Sequence, residues 1–298
     1  MTDNQRSAFK RHSKDFNYCE QIIKKHSKSF YTAFSQLPKE KALSVFAVYA
    51  FCRLADDAID LEKNETILNK LKMDLRDLEH GKVMNTPMWR ALSVVFSTFD
   101  LQYQPFYDML TGQRMDLHFT QPQTEADLAT YSYYVAGSVG LMLLPILSQE
   151  AEKIIQPAKK LGEAMQRTNI LRDIGEDFLM GRIYLPKETM IRFNVNTHTL
   201  AHKNINKNFV ALWEDEATYA EKLYDEAMVM MPLIDSDCRE ALLAATLIYR
   251  ELLTVVRKNN YQVFTAKQKV SNQRKRQLLL SVKSQMKKHK WEKSFGTF

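Results

Sequence analysis

Asp56-Asp57-Ala58-Ile59-Asp60 and Asn169-Ile170-Leu171-Arg172-Asp173-Ile174-Gly175-Glu176-Asp177 lie far apart in the chain, and reading them together decides the fold. Leu54, Ala55, Ala58 and Ile59 crowd the first run. Ile170, Leu171, Ile174 and Phe178 crowd the second. On a helix, Asp56 and Asp60 stack one turn apart on one face, and so do Asn169, Asp173 and Asp177. Like charges at that spacing repel by about 0.2–0.5 kcal/mol per pair. Acids among apolar neighbours are costly to bury unless a cation compensates them. A single acidic run on a helix is more often a solvated face, but two in apolar settings predict a site. Hard oxygen donors with no His or Cys beside them select Mg²⁺, with Mn²⁺ as a substitute.

Composition supports helices on both sides of such a site. The chain has 298 residues, 45% hydrophobic, with only 8 Gly and 8 Pro. So few turn formers over that length argue for long helices rather than a sheet. The cysteines, Cys19, Cys52 and Cys238, are odd in number and widely spaced. They make no disulfide framework and no zinc pattern, which predicts a reducing, cytoplasmic setting. The polar run Met1 to Asp15 lacks the apolar core of a signal peptide. Tyr133 to Leu147, the most apolar stretch, is too short to span a bilayer and reads as a buried helix. The net charge of +7 is concentrated at one end: residues 267–298 carry +9, leaving the body near −2. A near-neutral body argues against a nucleic-acid groove.

Helical periodicity runs along the whole chain. It predicts helices over 16–34, 39–61, 63–80, 87–99, 104–119, 124–147, 156–180, 208–232 and 235–259, and a basic amphipathic helix over 271–290. Pro145 marks a kink or stop, and Pro157 suits a first helical turn. Residues 194–206 read as loop. No convincing strand alternation, repeat or linker appears, so residues 1–298 are read as one all-α domain with a polar segment 1–15 and a basic segment 267–298.

Two acidic helices facing one another across an apolar chamber suit the ionisation of an allylic diphosphate. The diphosphate leaves only when its charge is neutralised, which metal ions on carboxylates achieve. The carbocation left behind needs a dry cavity with aromatic walls.

Several stretches together resemble the squalene/phytoene synthase family. They are His26-Ser27-Lys28-Ser29-Phe30, then Cys52 to Asp60, then Tyr131 to Gly140 reading YSYYVAGSVG. Gln166 to Asp177 follows, with Arg182-Ile183-Tyr184-Leu185-Pro186 behind it, and finally Tyr249. The resemblance runs from about His26 to about Arg276, and the second acidic motif with its trailing YLP is its most specific part. Near position 267 the family usually has Arg after a tyrosine such as Tyr261, where this chain offers Lys267 and Lys269.

That resemblance implies an isoprenoid-synthase-type helical bundle around a central apolar cavity. It implies metal ligation by Asp56, Asp60, Asn169, Asp173 and Asp177, and catalytic work for the four aspartates and Tyr131. Substrate contacts are implied for Ser27, Ser29, Arg53, Tyr131, Gln166, Asn169, Tyr184, Tyr249 and Lys267. Each has a plainer use as well. Arg53 can pair with Asp57 along its helix, Ser27 and Ser29 can cap a helix, a tyrosine can simply pack, and Gly137 and Gly140 can serve helix packing. Phe30, Phe34 and Phe46 are placed to set substrate length, with Phe34 and Phe46 plugging the deep end.

The implied reaction joins two farnesyl diphosphates head to head. It passes through presqualene diphosphate and ends at dehydrosqualene (4,4′-diapophytoene), on the way to carotenoids, with no NADPH. A phytoene synthase using two geranylgeranyl diphosphates and a squalene synthase using NADPH stay open. A class I terpene cyclase and a non-enzymatic assembly factor fit less well. The basic helix 271–290, with Leu278, Leu279, Leu280, Val282 and Met286 and with Trp291 after it, predicts peripheral contact with anionic lipid on the inner face of the cell membrane. Packing of its leucines onto the body is the competing reading.

Overall fold

The computed structural model describes residues 1–60 and 64–288, apart from the side chains of Asp60, Gln285, Lys287 and Lys288. Among the described residues every regular element is helical. In chain order they are α1 (Asp3–Arg11), α2 (Ser13–His26), α3 (Lys28–Phe34), α4 (Lys39–Asp60), α5 (Glu65–Glu79), α6 (Pro87–Thr98), α7 (Gln104–Leu117) and α8 (Glu125–Ser132). There follow α9 (Ser138–Leu147), α10 (Ile155–Leu179), α11 (Lys187–Arg192), α12 (Thr197–Ala201), α13 (Lys207–Ala227), α14 (Arg239–Lys258) and α15 (Asn272–Lys288). α4 and α10, which carry the two acidic runs, are among the longest because each has unbroken apolar periodicity and no early terminator. Val48, Phe51 and Ala55 of α4 and Ala164, Ile170 and Leu171 of α10 are buried in the core.

Two sequence expectations are corrected and two are extended. The predicted helix 16–34 is two helices, broken at Ser27, whose backbone leaves the helical region (φ −141°, ψ 84°). Ser27 then caps α3 by accepting a hydrogen bond from the Phe30 amide at 3.4 Å. The polar segment 1–15 contains α1, started by a capping box between Thr2 and Gln5. Residues 194–206 include the short helix α12, which Asn196 caps. The stretch Glu125–Leu147 is continuous and, with mean hydropathy 1.3, long and apolar enough to cross a membrane. It lies inside the bundle instead, with Val135, Val139 and Leu143 turned to the central cavity.

Between α8 and α9 the chain widens into one π-helical turn, Tyr133–Gly137. Such turns insert an extra residue and re-aim the side chains that follow. α9 then presses against α10 at Gly140, where any Cβ would sit 2.9 Å from the Ala158 carbonyl oxygen. A larger residue would force the helices apart.

Polar ties fix both ends of the bundle. Arg167, 1% exposed, binds Glu125, Glu163 and Glu216 at 2.8–2.9 Å and so clamps α10 to α8 and α13. At the other end Lys41 of α4 reaches Asp235 at 2.9 Å and Asp237 at 2.8 Å, just before α14. The Asp235 amide in turn donates to the Leu147 carbonyl at 2.9 Å, tying in the end of α9.

Candidate active site

A cavity of about 330 Å³ runs through the bundle between α3, α4, α7, α9, α10 and α14. Its deep part is apolar: Phe34, Val45, Leu144, Leu147, Met230 and Leu242. Its other end is polar, with Arg53, Asp56, Gln113, Asp116, Tyr131, Gln166, Asn169 and Tyr249. One wall is an aromatic stack. The Phe30 ring lies over Tyr249 with centroids 4.7 Å apart, and Phe34 follows at 5.8 Å from Phe30. The break at Ser27 turns Phe30 inward to this position.

On the α4 wall, the Arg53 guanidinium binds Asp56 at 2.9 Å and also pairs with Asp57. The ion pair foreseen along the helix therefore exists, and it holds the guanidinium at the cavity wall. The Asp60 side chain lies outside the described residues.

On the α10 wall, Gln166 and Asn169 face the cavity one turn apart. The Asn169 Oδ1 is buried without a hydrogen-bond partner among the described residues. Asn169 and Arg172 stand beside the Tyr249 hydroxyl, whose pKa burial raises. Asp173 is held by the Arg172 guanidinium at 2.8 Å and by Lys267 at 3.5 Å, and Lys267 also binds Glu176 at 2.8 Å. Burial first, then repulsion from Asp173 and Glu176, pushes the Asp177 carboxyl up to about 8. Asp173 and Asp177 lie beyond the cavity lining, on the continuation of the same helical face, and Lys267 approaches that face from the segment between α14 and α15. Lys267 comes near because its segment crosses α10 at Gly175, where a Cβ would meet the Phe264 backbone at 2.6 Å.

Among the described residues no three acids, histidines or cysteines already converge as a closed metal cage. The donor chemistry nevertheless fits a hard cation. A buried amide oxygen without a donor and a carboxyl pushed toward its neutral form by burial and then by neighbouring carboxylates are both relieved by a divalent ion.

Several predicted residues sit elsewhere. Ser29 is half-buried on α3 and does not line the cavity, and Ser27 is engaged as a cap. Phe46, 3% exposed, packs its ring on Tyr31 at 5.7 Å, behind the cavity wall. Tyr184 is also outside the central lining. Its hydroxyl donates to Asp116 at 2.7 Å, and Tyr131 donates to the same carboxylate at 3.0 Å. Asp116 was missed from the sequence. Its signal was present in weak form, since Met109, Gln113 and Asp116 share one helical face and place one acid on a buried surface. Tyr49 was missed as well. It lines the cavity beside Arg53, and burial raises its hydroxyl's pKa well above the usual value.

Comparison with known proteins bears directly on this arrangement. A model of the squalene/phytoene synthase family matches residues 23–276, which span both acidic walls. The chain belongs to the squalene/phytoene synthase family. Within that family it is 35% identical to a 4,4′-diapophytoene synthase of Staphylococcus haemolyticus, over 84% of this chain and 90% of the relative. It is 34% identical to a 15-cis-phytoene synthase of Synechococcus elongatus, over 88% of this chain and 90% of the relative. The crystal structure of a dehydrosqualene synthase in complex with a ligand superposes with a TM-score of 0.93. That protein is 60% identical, and the match covers 95% of this chain and all of that one. The squalene/phytoene synthase fold is thus all-helical here, and the chain is a prenyltransferase-type enzyme.

Proposed function

We propose that this enzyme joins two farnesyl diphosphates head to head, through presqualene diphosphate, to dehydrosqualene. The observation that carries the reading is one continuous cavity, apolar and aromatic at depth, that opens between Arg53–Asp56 on α4 and Gln166–Asn169 on α10. Prenyl tails fit the first part and diphosphates the second. The likeness to a dehydrosqualene synthase over that protein's whole chain supports the C15 substrate.

Asp56 and Asp60 on one wall and Asn169, Asp173 and Asp177 on the other would hold Mg²⁺, or Mn²⁺ in its place. Bound there, the metal supplies Lewis-acid neutralisation of the leaving diphosphate. The remaining work falls to the chain. The Arg53 fork grips phosphate oxygens, and its pairing with Asp56 and Asp57 keeps it oriented. Gln166 and the Asn169 amide steer the diphosphate end. The Tyr249 hydroxyl donates to the leaving group, as does Lys267 once released from Glu176. Ser27 retains its hydroxyl hydrogen for a phosphate oxygen. Phe30, Tyr49 and the apolar walls exclude water and present ring faces to the cation. No reductant enters this scheme, so NADPH is not required.

The structure narrows the membrane reading. Leu278 and Val282 of α15 are buried, and Arg274 is anchored to Glu251 at 2.7 Å, so the apolar face of α15 packs on the body. Arg276, Leu280 and Lys283 remain exposed at helical spacing along its outer face. Lys287, Lys288 and Trp291 lie outside the described side chains. Among the described residues of α15, peripheral contact with the inner face of the membrane therefore rests on charge together with the exposed Leu280.

The deciding experiment is product analysis of the purified enzyme with Mg²⁺ and farnesyl diphosphate, with and without NADPH. Dehydrosqualene in both reactions is expected. A C30 hydrocarbon only with NADPH would make it a squalene synthase. Preference for geranylgeranyl diphosphate in direct competition would make it a phytoene synthase.

A further inference from the structure

Asp116 has a setting that the ionisation step does not use. It stands on α7 at the cavity wall and accepts hydrogen bonds from two buried phenols, Tyr131 at 3.0 Å and Tyr184 at 2.7 Å. The two rings stack with centroids 5.1 Å apart. Both tyrosines also line a second cavity of about 560 Å³ on their far side, which opens past the exposed residues His118, Thr120 and Gln123. The Tyr131–Tyr184 pair, fastened to Asp116, is thus a partition between the central cavity and an outer vestibule that reaches exposed residues.

We propose that Asp116 accepts the protons lost in the carbocation steps, through the Tyr131 hydroxyl, and releases them by way of the outer cavity. The proposal rests on the head-to-head condensation argued above, which must shed a proton when the cyclopropane closes and again when the product forms. In each step a C–H bond beside the cationic carbon breaks, and its electron pair stays on carbon to make the new carbon–carbon bond. The proton passes to the Tyr131 oxygen while the proton already there moves to an Asp116 oxygen. Tyr131 is unchanged, Asp116 becomes a neutral acid, and the positive charge has left the substrate. Water in the vestibule then takes the proton, restoring the carboxylate before the next turnover.

The geometry also solves a hazard. A bare carboxylate beside an allylic cation would be alkylated to an ester. Here the Tyr131 and Tyr184 hydroxyls cover its oxygens, so the cation meets a phenol face and a proton relay. The negative charge behind the phenols still lowers the energy of the cation in a low-dielectric cavity.

The test uses the full chain with Mg²⁺, comparing Asp116→Asn, Asp116→Glu, Tyr131→Phe and the double variant Asp116→Asn/Tyr131→Phe. Binding is read with an unreactive farnesyl thiodiphosphate, and turnover with the natural diphosphate. Asp116→Asn should bind the analogue within about threefold of wild type and lose about 100-fold or more in kcat, the scale of general acid–base catalysis. Asp116→Glu should recover about tenfold of that loss, and the double variant should be no slower than the slower single one, because the two groups act as one relay. Turnover by Asp116→Asn within about tenfold of wild type would overturn the proposal, with the released diphosphate as the acceptor in its place. So would a loss of analogue binding equal to the loss of kcat, or multiplicative losses in the double variant. If Asp116→Asn does not fold, Tyr131→Phe decides the matter, since it leaves Asp116 bonded to Tyr184: intact turnover overturns the relay. Wild-type enzyme run on both C15 and C20 diphosphates separates the two readings. A C20 preference corrects the substrate and moves the relay test onto that substrate.

Discussion

Lys267 binds across α10, 3.5 Å from Asp173 and 2.8 Å from Glu176, on the face where a metal would sit. The ammonium therefore competes with any divalent ion for Asp173. Lys267→Ala should tighten Mg²⁺ binding to the substrate-free enzyme by about two- to fivefold, the range of a partly exposed ion pair. Isothermal calorimetry with Mg²⁺ alone measures this. Unchanged or weaker binding would remove Lys267 from the competition.

Asp177 links metal binding to stability. Its carboxyl titrates at about 8 in the folded chain, against ~3.9 unfolded. The folded state therefore binds that proton more tightly, and its contribution is greatest below the unfolded value and is lost as pH rises through about 8. In chelator, wild type should lose melting temperature between these limits relative to Asp177→Asn, and Mg²⁺ should close the gap. Alanine at Asp56, Asp60, Asp173 or Asp177 should cut turnover by orders of magnitude, and for Asp177→Ala, which removes a carboxyl that burial and its acidic neighbours disfavour, melting temperature should hold or rise. A pH-independent difference between wild type and Asp177→Asn in chelator would contradict the assignment.

Tail length should respond to Phe34 more than to Phe46. Phe34 faces the cavity, so Phe34→Ala opens room directly and should raise use of the C20 substrate. Phe46 lies behind the wall against Tyr31. Phe46→Ala should chiefly cost stability, by about 3–5 kcal/mol for a buried Phe. Competition assays with both diphosphates and denaturant melts of both variants check the order, and a larger length shift from Phe46→Ala would reverse it.

Membrane contact should follow the exposed charges of α15. Arg276→Glu with Lys283→Glu leaves the Leu278 and Val282 packing intact and should weaken binding to anionic vesicles, by about 1 kcal/mol per removed cation at low salt. The difference should fade at high salt. Equal co-sedimentation of wild type and variant at low salt would end the membrane reading.

The two acidic faces were legible in the sequence because helical spacing is a local property, and Arg53, Gln166 and Asn169 came with them on the same helices. Ser27 was legible as a residue but not as a break, since the apolar rhythm continues from Ile23 to Phe30 and gives no sign that the helix restarts. Asp116 showed only a weak signal, for a different reason. Its meaning comes from Tyr131 and Tyr184, which approach it from other elements, and only tertiary structure brings the three together. Phe46 failed as a cavity residue because burial alone does not say which side of a wall a ring occupies.

The Lys41 tie puts a second task on α4. Its first turn anchors the region beneath the deep end of the cavity through Asp235 and Asp237, and its last turns present Arg53 and Asp56 to the mouth. One rod thus carries part of the tail channel, at Val45 and Val48, at one end and the chemistry at the other. Descendants of such a chain can drift in the length of prenyl tail they accept by altering the anchored end while inheriting the ionising end untouched. That separation suits a lineage in which C30 and C40 products diverge on one scaffold.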